Sequence, residues 1–428
     1  MNVLVLGGGG REHTIVWKLS KSLLVKKIYC VPGNGGISEL ADCVNIPLSD
    51  INGLVKFARE IKAGITIVGP EAPLVEGIED LFSRNGLKLF GPSKKAAEIE
   101  GSKVFADMLT KKYNIPAPEF EVFNDREKLI DYLKSKTPPF VVKADGLAGG
   151  KGVIICNSIE EGIEAADLMF VKRKFGKAGD RVLVEEFLDG EETSIFAITD
   201  GDDYVLLPSS QDHKRVFDND EGPNTGGMGA YSPAPLVDDA LLEKIKNTII
   251  NPTIDAMKKE GRPYRGVLYF GLIIHDGIPK VLEYNCRFGD PEAQVTLPLL
   301  KTDLMEVIFA VIEGGLKNLK VENLKKSATC VVLASGGYPD SYEKGKEIFG
   351  LDSFEETENE LIFHAGTIKK NGKFFTNGGR VLGVTYLGDD LESSIDGVYR
   401  SVKKIKFDKM HYRKDIGQKG LKRLGIFN

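Results

Sequence analysis

The stretch that decides the fold reads Val281-Leu282-Glu283-Tyr284-Asn285-Cys286-Arg287-Phe288-Gly289-Asp290-Pro291-Glu292-Ala293-Gln294. It begins as an apolar strand that presents a carboxylate at Glu283 and, two residues later, an amide at Asn285. Because side chains along a strand repeat every two residues, both groups point to the same face. An oxygen-only pair suits a hard cation such as Mg²⁺, which takes a few protein oxygens together with substrate phosphates. The stretch therefore predicts a magnesium site at the end of a buried strand.

A polar turn follows this strand and gathers Arg287, Asp290 and Glu292 around Gly289 and Pro291. For any one of these residues, a polar loop after a buried strand is an equally good interpretation, because loops commonly carry polar side chains. The density of polar groups behind so apolar a strand favours a functional site.

Length and composition place the chain among multidomain globular proteins. It has 428 residues, too many for a single core, and its net charge of -5 disfavours non-specific nucleic-acid binding. The five cysteines are scattered and form no Cys-x-x-Cys pair, which indicates a reducing compartment without a disulfide framework or structural zinc. The first residues enter a strand without a signal-peptide pattern, and no apolar run reaches membrane-spanning length. We expect a cytoplasmic protein with no nucleic-acid or membrane partner.

The first hundred residues alternate short apolar runs with helical segments, which predicts βαβ units around an open parallel sheet. The runs cover residues 3–6, 28–31, 65–68 and 87–90. After the first run, the glycines of residues 7–10 offer backbone N–H groups to a phosphate or carboxylate, although a merely tight turn is the alternative. A dinucleotide fingerprint is excluded, because Glu12 occupies its third glycine position and no acidic residue follows the second strand. A small phosphorylated ligand fits better.

The middle of the chain predicts a helix over residues 94–112, a linker at 114–118, and a smaller unit after it. In that unit, a strand at 139–145 leads into residues 146–152, where four of seven residues are glycine. Such a stretch brings N–H groups close to phosphates and can act as a lid, but it is not a Walker A loop because Gly152 follows Lys151. A strand over 181–188 is equally consistent with adenine recognition and with a solvated edge.

Farther along, residues 210–230 predict a long polar, glycine-rich loop whose length favours a function. A strand at 267–274 then turns at Asp276-Gly277 into the strand of Glu283. From about residue 327, short strands at 329–334, 361–365, 373–375 and 381–387, followed by a helix at 391–404, predict an α+β unit. Within it, Gly378-Gly379-Arg380 is interpreted as a turn, with substrate contact as the alternative, and the basic tail 403–423 as a solvated face.

Several segments together carry a family resemblance. They are residues 8–13, 68–74, 100–103, 142–148, 210–215, 222–235, 287–294 and 376–382. In this order and over the whole chain, they resemble the glycinamide ribonucleotide synthetase (phosphoribosylamine–glycine ligase) family of the ATP-grasp superfamily. The resemblance implies an α/β and α+β multidomain ATP-grasp fold. Its expected parts are an N-terminal open parallel-sheet domain at 1–100, an ATP-grasp region at 101–326 with a glycine-rich lid at 119–190, and a C-terminal α+β domain at 327–428.

The resemblance also implies a reaction of purine biosynthesis, in which ATP drives ligation of glycine to 5-phosphoribosylamine through glycyl phosphate. We expect ATP and Mg²⁺ or Mn²⁺ as cofactors, small-molecule substrates only, and a monomer. Such chemistry needs charge neutralisation and positioning more than a protein nucleophile. The nearest alternative is another ATP-grasp carboxylate–amine ligase acting on a different small acid; a phosphate-binding regulatory protein and a dinucleotide oxidoreductase are disfavoured.

Site residues are implied position by position. The expected metal ligands are Glu283 and Asn285, and the expected catalytic residues are Arg287 and Asp290. Nucleotide binding is expected at Lys103, Lys143, Gly149, Gly150, Glu185, Glu186, Phe187, Leu188 and Glu192. Substrate binding is expected at Gly9, Arg11, Glu12, Glu71, Asp212, Lys214, Asn224, Gly226 and Gly289.

One departure from the wider ATP-grasp pattern is visible. Many members carry another metal carboxylate on the strand before that of Glu283, but the corresponding positions here are Tyr269, Gly271 and Ile273. We expect a second metal ion to depend on bridging by Glu283 or to bind more weakly.

Overall fold

The computed structural model describes residues 1–148, 152–352, 354 and 357–426. Its N-terminal part is an open sheet of five parallel strands in the order β3-β2-β1-β4-β5. The strands are β1 (Asn2–Gly7), β2 (Lys27–Pro32), β3 (Asp42–Cys43), β4 (Ala63–Val68) and β5 (Leu89–Phe90). The helices are α1 (Gly10–Ser20), α2 (Ile51–Glu60), α3 (Glu71–Glu76), α4 (Ile78–Arg84) and α5 (Lys94–Gly101). The predicted parallel sheet is confirmed, and its continuous apolar runs reflect burial on both faces.

The single helix predicted over residues 94–112 is wrong. Helix α5 ends at Gly101, and α6 (Lys103–Tyr113) begins after Ser102, whose backbone is extended. The Ser102 hydroxyl accepts the Phe105 N–H at 3.1 Å and donates to the Asp145 carboxylate at 3.0 Å. An N-cap of this kind satisfies a free backbone donor of the second helix, so the break is stabilised locally. It places Lys103 at the start of α6, facing the base of the lid.

The lid is a four-stranded antiparallel sheet in the order β6-β9-β7-β8. Its elements are β6 (Phe120–Phe123), α7 (Arg126–Lys134), β7 (Phe140–Ala144), β8 (Val153–Cys156), α8 (Ile159–Ala166) and β9 (Val182–Glu186). Gly149 and Gly150, predicted to contact the nucleotide, lie outside the described residues.

The next part of the chain supplies a second antiparallel sheet, which carries Glu283. Its elements in chain order are β10 (Glu191–Thr199), β11 (Tyr204–Leu206), β12 (Gln211–Asp212), β13 (Arg215–Phe217), β14 (Glu221–Asn224), β15 (Gly229–Ser232), α9 (Asp239–Ile245), α10 (Asn251–Lys259), β16 (Gly266–His275), β17 (Ile278–Asn285), α11 (Ala293–Leu299) and α12 (Leu304–Glu313). The sheet order is β11-β10-β16-β17. Its apolar face shares one buried cluster with β1, including Leu4, Leu268 and Phe270, so both sheets are held in a fixed relation.

The unstructured loop predicted over 210–230 is wrong. That segment forms β12, the hairpin β13–β14 and β15, and two of these strands join the C-terminal sheet, in the order β12-β15-β18-β22-β19. The C-terminal elements are β18 (Ser327–Ala334), β19 (Glu360–His364), β20 (Thr367–Lys370), β21 (Lys373–Thr376), β22 (Arg380–Gly388), α13 (Leu391–Val402) and α14 (Gln418–Arg423). Long-range pairing of β15 with β18, which local sequence does not reveal, thus ties this segment to the C-terminal part.

The interpretation of the basic tail as a solvated face is wrong at Arg413. Its side chain is fully buried and forms ion pairs with Asp220 at 2.9 Å and Asp415 at 2.7 Å. Across the described ranges, no helix is both long enough and apolar enough to cross a membrane.

Candidate active site

Glu283 and Asn285 lie at the C-terminal end of β17, opposite Gly271 and Tyr269 of β16. The register shifts between Gly271 and Leu272, so that one residue of β17 is left unpaired just before Glu283. Bulges of this kind re-aim a side chain next to a functional site. The facing positions on β16 carry no carboxylate, so the additional metal ligand that many ATP-grasp proteins have on this strand is missing here, as the sequence indicated.

Positive charge surrounds the Glu283 carboxylate. Lys214 Nζ lies 3.9 Å from Glu283 Oε1 and 2.7 Å from Glu192 Oε2. Burial alone would raise the pKa of Glu283, but the ammonium groups of Lys214, Lys103 and Lys143 outweigh it and lower that pKa. Glu283 is therefore ionised at neutral pH.

The donors at this position fit a hard cation. Glu283 and Asn285 offer oxygen atoms only, and oxygen is what Mg²⁺ and Mn²⁺ prefer. Among the described residues, no group of three or more His, Cys, Asp or Glu side chains forms a complete metal cage. A divalent ion held here would take its other ligands from water and from bound phosphates, as Mg²⁺ commonly does.

Two lysines converge on the same region from different elements. Lys143 on β7 donates to the carbonyl of Leu282 at 3.3 Å and pairs with the buried Glu185 at 2.6 Å. Lys103 donates to the carbonyl of Gly146 at 3.1 Å, and burial lowers the pKa of its ammonium, with Lys143 adding to the effect. Two ammonium groups in a partly desolvated site suit a polyanion such as a nucleotide triphosphate.

The strand predicted to read adenine is β9 with the residues after it. Glu185 is buried, whereas the Glu186 carboxylate pairs with Lys280 at 2.9 Å and accepts the Glu119 N–H at 3.2 Å. Phe187 is exposed and Leu188 is buried. The Glu186 side chain and its N–H, which donates to the Glu119 carbonyl at 3.0 Å, are thus both engaged within the protein.

Arg287 is held by two glutamates from the N-terminal half of the chain. Its guanidinium lies 3.2 Å from Glu71, 3.0 Å from Glu100 and 3.3 Å from the side-chain oxygen of Asn285. Burial opposes the charge, but Glu100 and Glu71 outweigh it and raise the pKa of Arg287 further. Glu100 also accepts the Cys286 N–H at 2.6 Å. The sequence analysis assigned Glu100 no role. Its only signal was its position in residues 100–103, one of the segments that carry the family resemblance.

Asp290 is bound by a residue of the C-terminal part. Arg380 Nη2 lies 3.3 Å from Asp290 Oδ2, and Arg380 Nη1 donates to the carbonyls of Asp290 and Gly226, each at 2.6 Å. Gln294 donates to Asp290 Oδ1 at 2.7 Å. A Cβ atom on Gly226 would lie 3.0 Å from the Arg380 guanidinium carbon, so a larger residue here would press against the Arg380 side chain. The preferred interpretation of residues 378–380 as a turn therefore missed that the Arg380 side chain joins two predicted site residues.

The N-terminal loop packs against the same turn. Arg11 donates to the Phe288 carbonyl at 3.2 Å and to Glu12 at 2.6 Å. Glu12 also accepts the Gly9 N–H at 2.6 Å and is 2% exposed, so its carboxylate braces the loop from within. A Cβ atom on Gly9 would lie 3.3 Å from Asp290 Oδ2. The predicted substrate residues of this loop are thus next to Asp290.

Asp212 on β12 lies among other carboxylates. Burial raises its pKa to about 7; Lys214 opposes this, and the charges of Glu292, Glu192 and Glu283 add to it. Gly289 lies against Glu292, because an added Cβ would be 2.3 Å from that carboxylate. Asn224 is exposed at the end of β14, where its backbone pairs with Arg215.

Most of the chain, including the predicted residues of this site, matches the models of one protein family. Models of phosphoribosylglycinamide synthetase match residues 1–100 (N domain), 101–293 (ATP-grasp (A) domain) and 328–419 (C domain). The chain belongs to the phosphoribosylglycinamide synthetase family. The resemblance inferred from the sequence is confirmed, as is the ATP-grasp fold class. Membership implies a ligase that uses ATP with a divalent metal ion and acts on small molecules.

Individual relatives agree with the family. The chain is 54% identical to a phosphoribosylamine–glycine ligase of Caldanaerobacter subterraneus subsp. tengcongensis, with 97% of this chain and 99% of that protein covered. A crystal structure of phosphoribosylamine–glycine ligase from Thermotoga maritima aligns with a TM-score of 0.83 at 38% identity, covering 97% of this chain and 100% of that one. The biotin carboxylase domain of a Hydrogenobacter thermophilus 2-oxoglutarate carboxylase aligns with a TM-score of 0.77 at 17% identity, covering 100% of this chain and 96% of that one. At that identity it shares the fold alone.

Proposed function

We propose that this member of the family ligates glycine to 5-phosphoribosylamine, giving glycinamide ribonucleotide, ADP and phosphate through a glycyl phosphate intermediate. One observation carries the proposal. A single strand end presents Glu283 among three lysines and continues within four residues to Arg287, which is fixed by Glu71 and Glu100. A metal–nucleotide site and a site for a transferred phosphoryl group are therefore adjacent.

One half of the proposed site binds the metal ion and the nucleotide. Glu283 and Asn285 would hold Mg²⁺ or Mn²⁺, which supplies charge neutralisation at the phosphates when bound. Lys103 and Lys143 hold the phosphates, and β9 with the residues that follow it holds adenine through backbone groups. Glu192, already paired with Lys214, is assigned to the ribose hydroxyls.

The ligation half begins with glycine, for which Asp212, Lys214 and Gly289 are the proposed binding residues. A carboxylate oxygen of glycine attacks the γ-phosphorus, and the bond to the β-phosphate oxygen breaks to release ADP. Arg287 lies beside this transfer and offsets negative charge that spreads over the phosphoryl oxygens. Its fixed guanidinium needs little reorganisation during the reaction, which is the condition for strong electrostatic stabilisation.

In the second step, the amine of phosphoribosylamine attacks the acyl carbon. A carbon–nitrogen bond forms, the carbon–oxygen bond to phosphate breaks, and the nitrogen loses a proton. We assign the amine substrate to the N-terminal loop with Gly9, Arg11 and Glu71 and to the segment 224–229, which includes Asn224 and Gly226. Asp290 lies between them, oriented by Arg380 and Gln294. The location proposed for the enzyme is the cytoplasm, in keeping with five unpaired cysteines, and the monomer stays a prediction.

Omission of single substrates tests the proposal. With ATP, glycine and freshly generated phosphoribosylamine all present, we expect ADP release to match formation of glycinamide ribonucleotide one for one. Leaving out either glycine or phosphoribosylamine should reduce sustained ADP release to background. ADP release that is unaffected by either omission would contradict the assignment. Turnover restored by a different small acid in place of glycine would indicate another carboxylate–amine ligase.

A further inference from the structure

A cluster of charged residues around the buried Arg413 lies away from the assigned site. It consists of Arg413, Asp415, Asp220 and Lys419. Arg413 is completely buried, donates to both carboxylate oxygens of Asp415 at 2.8 and 2.7 Å, and donates to Asp220 at 2.9 Å. Lys419 adds a second ion pair to Asp220 at 2.5 Å. A buried guanidinium is tolerated only when paired this fully, so the cluster fixes Asp220 relative to the C-terminal part.

Asp220 lies at the tip of the β13–β14 hairpin, and further bonds join the same two segments. The Arg413 guanidinium donates to the Arg215 carbonyl at 3.1 Å, Asn219 N–H donates to Asp415 at 2.9 Å, and Lys414 N–H donates to Asp218 at 2.7 Å. All four residues of β14 are exposed, and Val216 is the buried apolar side chain of β13. The hydrogen bonds and ion pairs to residues 413–415 are therefore a main source of order in this hairpin.

The base of the hairpin reaches the assigned substrate residues. The Thr225 N–H and hydroxyl both donate to the Lys214 carbonyl, at 2.7 and 2.9 Å, which closes the hairpin at Lys214. The Thr225 hydroxyl in turn accepts the Gly227 N–H at 2.9 Å. Lys214 extends to Glu192 and Glu283, and Gly226 contacts Arg380. A shift of the hairpin would displace residues on both sides of the ligation site.

We infer that Arg413 is a positioning residue that sets the affinity for glycine and phosphoribosylamine through the β13–β14 hairpin, without contacting either. The inference rests on the proposed function. The nucleotide residues Lys103, Lys143 and Glu185 lie on other elements, whereas Glu192 and Glu283 touch the hairpin base through Lys214. We therefore expect a smaller change in the affinity for ATP than in the affinities for glycine and phosphoribosylamine. A larger change in the affinities for glycine and phosphoribosylamine than in that for ATP distinguishes a positioning role of Arg413 from a general contribution to stability.

The variant Arg413→Met tests the inference. We expect the KM values for glycine and phosphoribosylamine to rise about tenfold, because small displacements of positioning groups have effects of this order or larger. The KM for ATP should change less than either of these two values. Amide hydrogen exchange should show lost protection within residues 215–227. Arg400→Met is the matched control, because Arg400 is an exposed arginine on helix α13 of the same C-terminal part.

A second variant covers the case in which Arg413→Met does not fold. Asp220→Asn removes the negative charge on the hairpin's side of the pair and keeps the bonds between Arg413 and Asp415. The same rise in both KM values is expected. A folded Asp220→Asn protein with unchanged exchange in the hairpin overturns the inference, whatever its activity. Lower thermal stability with unchanged KM values overturns it as well. Failure of the proposed function is distinguishable, since the wild-type protein would then show no glycine-dependent turnover.

Discussion

Replacing Glu283 with alanine is expected to lower kcat/KM on the order of 10³-fold, while the fold stays intact. The carboxylate is the charged member of the proposed metal pair, and Lys214, Lys103 and Lys143 all contribute to its low pKa. Its removal deletes the anionic ligand and leaves three ammonium groups without their shared counter-charge. Steady-state turnover across a wide range of Mg²⁺ concentration is the measurement, with circular dichroism and thermal unfolding as checks on the fold.

Glu243→Ala is a suitable control for this variant, because Glu243 is a largely exposed glutamate on α9 that pairs with Lys246. Its removal should leave turnover within about twofold of wild type, as expected of an exposed ion pair. Wild-type turnover in Glu283→Ala would mean that the metal site is misplaced. If high Mg²⁺ concentration fully restored the lost activity, Glu283 would contribute to the affinity for the metal ion and not to the chemical step.

The second large effect is expected at Arg287. Arg287→Lys keeps the positive charge but cannot reproduce the planar fork that contacts Glu71, Glu100 and Asn285. We expect kcat to fall roughly 10²–10³-fold, as for the loss of one preorganised donor, with little change in the KM for ATP. Rapid-quench measurement of the first turnover locates the loss in the chemical step.

A paired substitution separates charge burial from catalysis. Arg287→Met should destabilise the fold by about 3–5 kcal/mol, because it leaves the buried Glu100 without its partner. Adding Glu100→Gln removes that unpaired charge, so much of the stability should return while activity stays low. Recovery of activity in the double variant would contradict a direct role for the Arg287 charge. Unchanged kcat in Arg287→Lys would do so too.

The parts of this molecule that follow from local patterns were predicted from the sequence. Continuous apolar runs predicted the parallel N-terminal sheet, and the two-residue period of a strand placed Glu283 and Asn285 on one face of β17. The family resemblance then supplied roles that those patterns alone do not give. These roles stay predictions for the individual residues until variants are measured.

The features that were missed depend on contacts between distant parts of the chain. Glu100 and Arg287 are 187 residues apart in the sequence, and Asp290 and Arg380 are 90 residues apart, yet each pair forms a hydrogen bond. The pairing of β15 with β18 likewise turned a predicted loop into sheet. The periodicity of apolar residues describes one helix or strand at a time. It therefore shows neither which charged side chains form ion pairs nor that Arg413 is buried. The break at Ser102 differs, because a serine N-cap is a local signal that the helical pattern of residues 94–112 obscured.

Oxygen transfer from glycine to phosphate tests the central claim most directly. Glycine labelled with oxygen-18 in both carboxylate positions is supplied with ATP and phosphoribosylamine, and the products are separated for mass spectrometry. Attack of the carboxylate on the γ-phosphorus predicts one labelled oxygen in each phosphate released and one in the amide of the product. Unlabelled phosphate alongside labelled product would contradict activation of glycine as an acyl phosphate.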